Sequence, residues 1–320
     1  ELGKLIRDLK VSPVELTKAY IERINALDFK LNSFITVFRT TALNDARIAE
    51  EEIKNGRYLG PLHGVPVAVK DQFWTKGIRT TGGSRIQQEF IPNDNATVIT
   101  RLKQAGAIIL GKTNLTEFAI TGFSHRFSTP RNPWNIDMYT GGSSGGSACA
   151  VAAGMVPAAH ATDSGGSIRI PASNCGLFGL KPTRARVPLG HDKPEGLAGF
   201  SSVHAVTHSV RDSAVLLDVT AGPMAADIYS APAMTMPFLD SIEEPFQSVR
   251  IALWTEGFAG EKIDPVCKDA AKQAAALCES LGHDVEETRP DIDGDALRRA
   301  FDVLFSANIH NVVERYRVEN

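Results

Sequence analysis

The chain has 320 residues, 43% hydrophobic and 22% charged, with a formal net charge of −3. That is ordinary globular composition, long enough for one large buried core or two moderate ones. The near-neutral charge and the lack of a long Lys/Arg run argue against a nucleic-acid footprint or a polybasic membrane patch. No run of about 20 apolar residues is available to cross a bilayer.

Four cysteines, Cys149, Cys175, Cys267 and Cys278, show no ligand-type spacing and mostly sit in apolar runs. They read as reduced core thiols of a cytoplasmic protein, neither a zinc site nor a disulfide framework. The chain opens "ELGKLIRDLK", without Met or signal peptide, and stops at "VVERYRVEN" inside a helical pattern. Both ends read as cuts in a longer protein.

The elements follow in chain order. "SPVELTKAYIERINAL" predicts a helix with Ser12 as N-cap, Pro13 as first helical residue and Glu15 completing a capping box. Leu16, Tyr20, Ile24 and Leu27 then recur at helical spacing. A second, polar helix is expected over Thr41 to Lys54. "VPVAVK" predicts a short strand from Val65 to Val69 that delivers Lys70 at its end. "ATVITRLKQAGAIILGKTN" reads as a helix capped by Gly106, then a buried strand from Ala107 to Leu110.

"RNPWNIDMY" reads as a loop, followed by a Gly/Ser loop, an Ala-rich helix and a strand around Pro157–Thr162. "SVRDSAVLLDVTAG" is a helix closed by Gly222, and a Pro-rich surface excursion follows it. "VRIALW", "DPVCKDAAKQAAALCESLG" and "HDVEE" give strand, helix, strand. Alternating strands and helices make this an α/β protein with a largely parallel or mixed sheet. There is no internal repeat.

The Gly/Ser loop is "TGGSSGGSACAVAAG", Thr140 to Gly154. Gly142-Ser143-Ser144-Gly145-Gly146 formally fits the Gly-x-Ser-x-Gly nucleophile elbow, which requires a strand directly before it and an acid and a histidine further on. The preceding segment reads as a loop, and nothing singles out His204 or His208 as the partner. A Walker-type loop would end in Gly-Lys-Ser/Thr, whereas Gly146 is followed by Ser147. Alone, the stretch is as readily a flexible turn.

Downstream, "ATDSGGSIRIPASNCGLFGLKPTR" supplies a second Gly-Gly-Ser, ending at Ser167. Its glycines free the backbone to turn several N–H groups toward one point, as an oxyanion site requires. Asp163 and Arg169 flank it and read equally well as a structural ion pair. Upstream, Lys70 ends an apolar strand and precedes Asp71; a lone lysine is usually a solvated side chain.

Together, "GVPVAVKD", "GGSSGGSACAVAAG" and "TDSGGSIRIPASNCGLFGLKPT" resemble the amidase signature family of serine amidohydrolases. "GAIILGKTNLTEFA", "STPRNPWN" and "SVRDSAVLLDVTAGP" extend the resemblance over most of residues 1–225, thinning beyond. It implies a central mixed β-sheet flanked by helices on both faces. It also implies a single amidase domain over 1–320, with an N-terminal helical segment 1–57 and a catalytic α/β core 58–225. The C-terminal part that family chains normally carry would be absent.

The resemblance further implies a Ser-Ser-Lys triad. Ser167 would be the nucleophile, Ser143 the bridging serine on a cis peptide bond, and Lys70 the ultimate base. The backbone N–H groups of Ser164, Gly165, Gly166 and Ser167 would form the oxyanion hole. Ser144, Thr162, Asp163 and Arg169 would orient the loops, and Thr121, Gly122 and Phe123 would contact the acyl group. A lysine with a pKa near 10.4 must be desolvated to act as a base at neutral pH.

The expected activity is hydrolysis of linear or cyclic carboxamides, with no metal or cofactor and no nucleic-acid or membrane partner. The expected oligomer is a homodimer. The alternative within the family is the glutaminase subunit of a tRNA-dependent amidotransferase. Such subunits usually carry Gln after the motif arginine, where this chain has Ile170. A non-catalytic binding relative would have no need of Lys70, Ser143 and Ser167 together.

Overall fold

The computed structural model describes residues 1–120, 126–190, 196–224 and 227–319, with side chains to 314. The chain groups into two compact units, Glu1–Ile242 and Glu243–Asn320. In the first, among the described residues, helices α1 (Leu2–Arg7), α2 (Pro13–Leu31), α3 (Arg39–Lys54), α4 (Thr97–Gln104), α5 (Gly145–Ala152), α6 (Arg169–Cys175), α7 (Val210–Thr220) and α8 (Phe238–Ser241) accompany eight strands. Six of these, β1 (Phe34–Val37), β2 (Pro66–Lys70), β3 (Ile108–Thr113), β6 (Ala158–Asp163), β7 (Phe178–Gly179) and β8 (Ser202–Thr207), form one sheet. Strands β4 (Arg131–Asn132) and β5 (Asn135–Tyr139) make a separate antiparallel hairpin.

The sheet is mixed, in the order β1-β3-β2-β6-β8-β7. β2 runs parallel to both β3 and β6, while β1, β8 and β7 join antiparallel. Every residue of β2, β3, β6 and β8 is buried, as expected for strands covered on both faces. One core joins Ile21 and Ile24 of α2, Ala42 and Ala46 of α3 and Cys149–Val151 of α5 to the sheet. The other joins Val98, Ile99 and Leu102 of α4 and Leu216 and Leu217 of α7 to it.

The small residues of α5 let that helix approach closely. A Cβ on Gly146 would stand 2.5 Å from the backbone of Asn114 and from the Ser33 carbonyl. No side chain fits there, so the Gly/Ser composition after Ser144 is a packing requirement.

The N-cap at Ser12 forms, accepting from the amides of Val14 (3.1 Å) and Glu15 (3.2 Å). The reciprocal arm of the capping box is not what holds it: the Ser12 hydroxyl donates to Glu50 of α3, tying two helices together. "NIDMY", expected as loop, is the strand β5, and β1, β7, β8 and the short α1 and α6 add to the expected elements. β5 is exposed along its length, so it carries none of the buried alternation that marks a core strand.

Among its described residues, the Pro-rich excursion contains α8, whose first amides, Phe238 and Leu239, donate to Asp218 of α7. All four thiols are free: Cys149 and Cys175 are buried, Cys278 is half-buried, and Cys267, against expectation, is exposed.

The second unit pairs β9 (Arg250–Leu253) in parallel with β10 (Asp284–Glu287), with α9 (Pro265–Ser280) between them in sequence and α10 (Gly294–Glu319) after. No described helix is long and apolar enough to cross a membrane.

Candidate active site

β2 reads Pro-Val-Ala-Val and ends on Lys70. Its β-branched residues fit a pleated, buried surface, so the strand carries its terminal lysine inside the protein. Lys70 is 0% exposed. Its amine lies 2.7 Å from Ser143 Oγ, 2.9 Å from Ser144 Oγ and 2.8 Å from Thr162 Oγ1. Burial pushes the lysine well below its ordinary pKa, against an upward pull from Asp163. Desolvation disfavours the charged form, and hydroxyls do not restore a counter-charge.

The two serines come from the turn into α5. The Gly142–Ser143 peptide bond is cis, and Ser143 is 5% exposed. The neighbouring Ser144 is fully buried. Its hydroxyl donates to the Thr162 carbonyl at 3.2 Å and accepts from the Thr162 amide at 3.3 Å. A serine enclosed in this way is not presented to a substrate. A strand, β5, does precede the motif, yet the nucleophile-elbow reading fails on the burial of Ser144.

β6 delivers Thr162 and Asp163, and the chain then turns through Ser164–Ser167 into α6. Asp163 organises this turn. It accepts from the amides of Gly166 (2.8 Å), Ile168 (3.2 Å) and Arg169 (3.3 Å). It also receives a two-pronged bond from the Arg169 guanidinium, 2.9 Å from each nitrogen. Burial raises the Asp163 pKa, but the bonds from Arg169, Gly166 and Ile168 outweigh it and hold the carboxyl below its usual range. The ion pair is therefore real and is also the framework of the turn.

Of the four amides expected to face an oxyanion, that of Gly166 is committed to Asp163, which removes it from the set in this conformation. The cause is the turn itself: Gly166 has φ +114°, and its amide points at the carboxylate. Ser164 is anchored through its hydroxyl, 2.6 Å from that of Ser201.

The structure thus gathers Lys70, Ser143, Ser144 and Thr162 into one hydrogen-bonded group. Ser167 is half-buried on the adjacent turn, and among the described residues its hydroxyl makes no hydrogen bond to Ser143. The two loops meet through Ile170: a Cβ on Gly141 would stand 2.8 Å from its Cγ2, and one on Gly166 2.6 Å from its Cδ1. Thr121, Gly122 and Phe123 lie outside the described residues.

A second buried lysine adjoins the site unannounced by the sequence reading. Lys112, near the end of β3, is fully buried 3.7 Å from the buried carboxylate of Asp71. Its signal is the one Lys70 carries, a lysine near the end of an apolar strand, here in "AIILGKT".

Comparison with known proteins agrees with this architecture. The family model described as Amidase matches residues 15–318. The A-type subunit of glutamyl-tRNA(Gln) amidotransferase from Carboxydothermus hydrogenoformans is 42% identical over 293 residues, covering 90% of this chain and 59% of that relative. Among solved structures, a 6-aminohexanoate cyclic dimer hydrolase with substrate bound superposes with a TM-score of 0.92 at 34% identity, over 98% of this chain and 65% of the other. A bacterial aryl acylamidase of the amidase signature family gives 0.92 at 27% identity, over 100% and 67%. The chain therefore spans about three-fifths of the curated relative's length and about two-thirds of these structures.

Proposed function

The chain belongs to the amidase family, and on that premise we propose that it hydrolyses the C–N bond of a carboxamide through an acyl-enzyme on Ser167. The observation that carries the reading is the amine of Lys70, buried, with no carboxylate in contact among the described residues, and bonded to three hydroxyls. Desolvation lowers the pKa of such an amine and favours the neutral form, which can act as a base.

In the proposed reaction Ser167 Oγ attacks the amide carbonyl carbon. Its proton passes to Ser143 Oγ while the Ser143 proton passes to Lys70. The tetrahedral oxyanion is met by the amides of the Ser164–Ser167 turn that remain uncommitted, those of Ser164, Gly165 and Ser167. Collapse breaks the C–N bond, and the leaving nitrogen takes the proton back along the same relay. Water then adds to the ester, and its cleavage releases the carboxylate and frees Ser167. The Ser143–Ser167 hydrogen bond would close as substrate settles, since such bonds are often long in free enzymes. Thr121, Gly122 and Phe123 remain the proposed acyl contacts.

The proposed substrate is a small-molecule amide; Ile170, 47% exposed, puts an apolar side chain between the two glycine loops, against Gly141 and Gly166. A second reading, the glutaminase component of a tRNA-dependent amidotransferase, is favoured by the 42% identity to a component of that kind. It would need partner subunits and would release ammonia from glutamine.

The experiment is labelling with a fluorophosphonate followed by peptide mass mapping, and then turnover of aryl amides, cyclic amides and glutamine. An adduct on Ser167 that disappears in Lys70→Ala is the expected result. An adduct on Ser144, or hydrolysis unaffected by Ser167→Ala, would end the proposed assignment. Turnover of glutamine alone would move the conclusion to the second reading.

A further inference from the structure

The protein buries two lysines on adjacent strands, one on each face of the sheet, and surrounds them differently. β2 and β3 are parallel neighbours; β2 ends on Lys70, and Lys112, one residue before the end of β3, is in register with Val69. Both side chains are fully buried. Among the described residues Lys70 hydrogen-bonds only hydroxyls, and a hydroxyl can accept from an ammonium or donate to a neutral amine. Lys112 donates to the Phe73 carbonyl, which can only accept, and to Thr75 Oγ1 at 3.2 Å and Thr80 Oγ1 at 3.1 Å. These three acceptors use all three protons of an ammonium, and Asp71 supplies the counter-charge.

Asp71 in turn is held by one carboxylate oxygen and by its backbone, the other oxygen facing Lys112. Its carboxylate accepts from the Thr81 amide at 2.9 Å and the Thr81 hydroxyl at 2.5 Å. Its own amide donates to the Thr113 carbonyl, and its carbonyl accepts from Gly82. The Lys112–Asp71 pair therefore ties residues 71–82 into a closed loop that begins at the residue after Lys70. That loop continues toward the site, because the Gly82 carbonyl accepts from Phe118 and Ser84 bonds Glu117.

We propose that Lys112 is a positioning residue for Lys70: held as an ammonium by Asp71 and its three acceptors, it fixes the end of β2 so that Lys70, and not Lys112, offers a neutral amine to Ser143. The direction of the electrostatics agrees. Burial lowers both lysines, but Asp71 opposes it for Lys112, which stays at about 8, whereas Lys70 falls well below its ordinary range. The other ionisable groups acting on these residues are Asp163, which raises Lys70, Arg79, which lowers an Asp71 otherwise raised by burial, and His160, kept neutral by burial and then by Lys70, His204 and Lys112.

The inference rests on the amidase reading for its kinetics but not for its first test. In protein labelled with ¹³C at lysine Cε, the two buried signals, assigned with Lys70→Arg and Lys112→Arg, are titrated from pH 6 to 11. Lys70 is expected to be neutral where Lys112 is still charged; the reverse order overturns the proposal whether or not the protein hydrolyses amides. In turnover, Lys112→Met is expected to lower kcat by up to about 100-fold, the scale of a small misplacement of catalytic groups, with KM nearly unchanged. Adding Asp71→Asn removes the unpaired buried carboxylate and is expected to recover part of that loss. Wild-type kcat in Lys112→Met, or no recovery in a folded double variant, would also overturn it. If Lys112→Met does not fold, the wild-type titration decides.

Discussion

Lys70 Nζ and Ser143 Oγ stand 2.7 Å apart across 73 residues of sequence. The lysine arrives on a strand buried on both faces, and the serine on a turn held down by the close approach of α5. Neither element moves without disturbing the core, so the contact is preorganised. Lys70→Ala is accordingly expected to lower kcat/KM by about 10²–10⁴-fold, the usual cost of removing a general base, while circular dichroism and hydrodynamic size stay unchanged. Turnover within threefold of wild type would remove the lysine from the mechanism.

Asp163 acts on the site twice, as framework and as charge. Its charge raises the pKa of Lys70, so Asp163→Asn should let that pKa fall further. The rise of kcat/KM with pH, which follows deprotonation of Lys70, should then shift to lower pH. The same change weakens the Ser164–Ser167 turn, since poorly satisfied buried amides cost about 1–3 kcal/mol each. Arg169→Ala should cost less than about 1 kcal/mol, because its side chain is 54% exposed and its ion pair is largely screened. Urea denaturation of the two variants and their pH–rate profiles check both statements. A shift of the profile to higher pH in Asp163→Asn would contradict the electrostatic part.

Much of this is readable from local pattern. The β-branched run before Lys70 and the glycines around Ser143 and Ser167 identify residues whose chemistry makes sense only inside a fold. What local pattern does not convey is commitment. The Gly166 amide looks free in the sequence, yet Asp163, three residues back, takes it. Ser144 and Ser143 look interchangeable, and only the packing of β6 encloses one of them. β5 escapes recognition because all five of its residues face solvent, and β1 because four residues between two helices give too short a period to recognise. Lys112 displays the same signature as Lys70, but its importance depends on Asp71, 41 positions away, lying across a parallel strand pair.

Ala185 is held at φ +61°, in the left-handed region that costs an L-residue with a Cβ roughly 1–2 kcal/mol. Ala185→Gly relieves that strain and gives back part of it as unfolded-state entropy. The expected net effect is a gain of up to about 1 kcal/mol, seen as a higher denaturation midpoint with an unchanged m-value. Gly166→Ala should act oppositely: φ is +114°, and the new Cβ would stand 2.6 Å from Ile170 Cδ1. Loss of Ser167 labelling is expected there together with lowered stability. A stabilised Gly166→Ala would show that the turn is not the one described.

Acid should unfold this protein through its buried histidines. His204 bonds Ser213 Oγ at 2.6 Å, and burial lowers its pKa to about 4. His160 packs edge-on against Phe73 with ring centroids 4.3 Å apart, and burial drives it well below its ordinary value. Each folded-state pKa lies below the unfolded value near 6.5. The unfolded chain therefore binds protons first as pH falls, so this contribution to stability is full above about 6.5 and is lost progressively toward pH 4. At 1.36 kcal/mol per unit, His204 alone accounts for roughly 3 kcal/mol across that window. Urea denaturation at pH 7, 6 and 5 should show stability falling, with a shallower fall in His204→Gln, whose side chain can still bond Ser213 but cannot take up the proton. An equal slope in wild type and variant would place the acid sensitivity elsewhere, with His160 the next residue to replace.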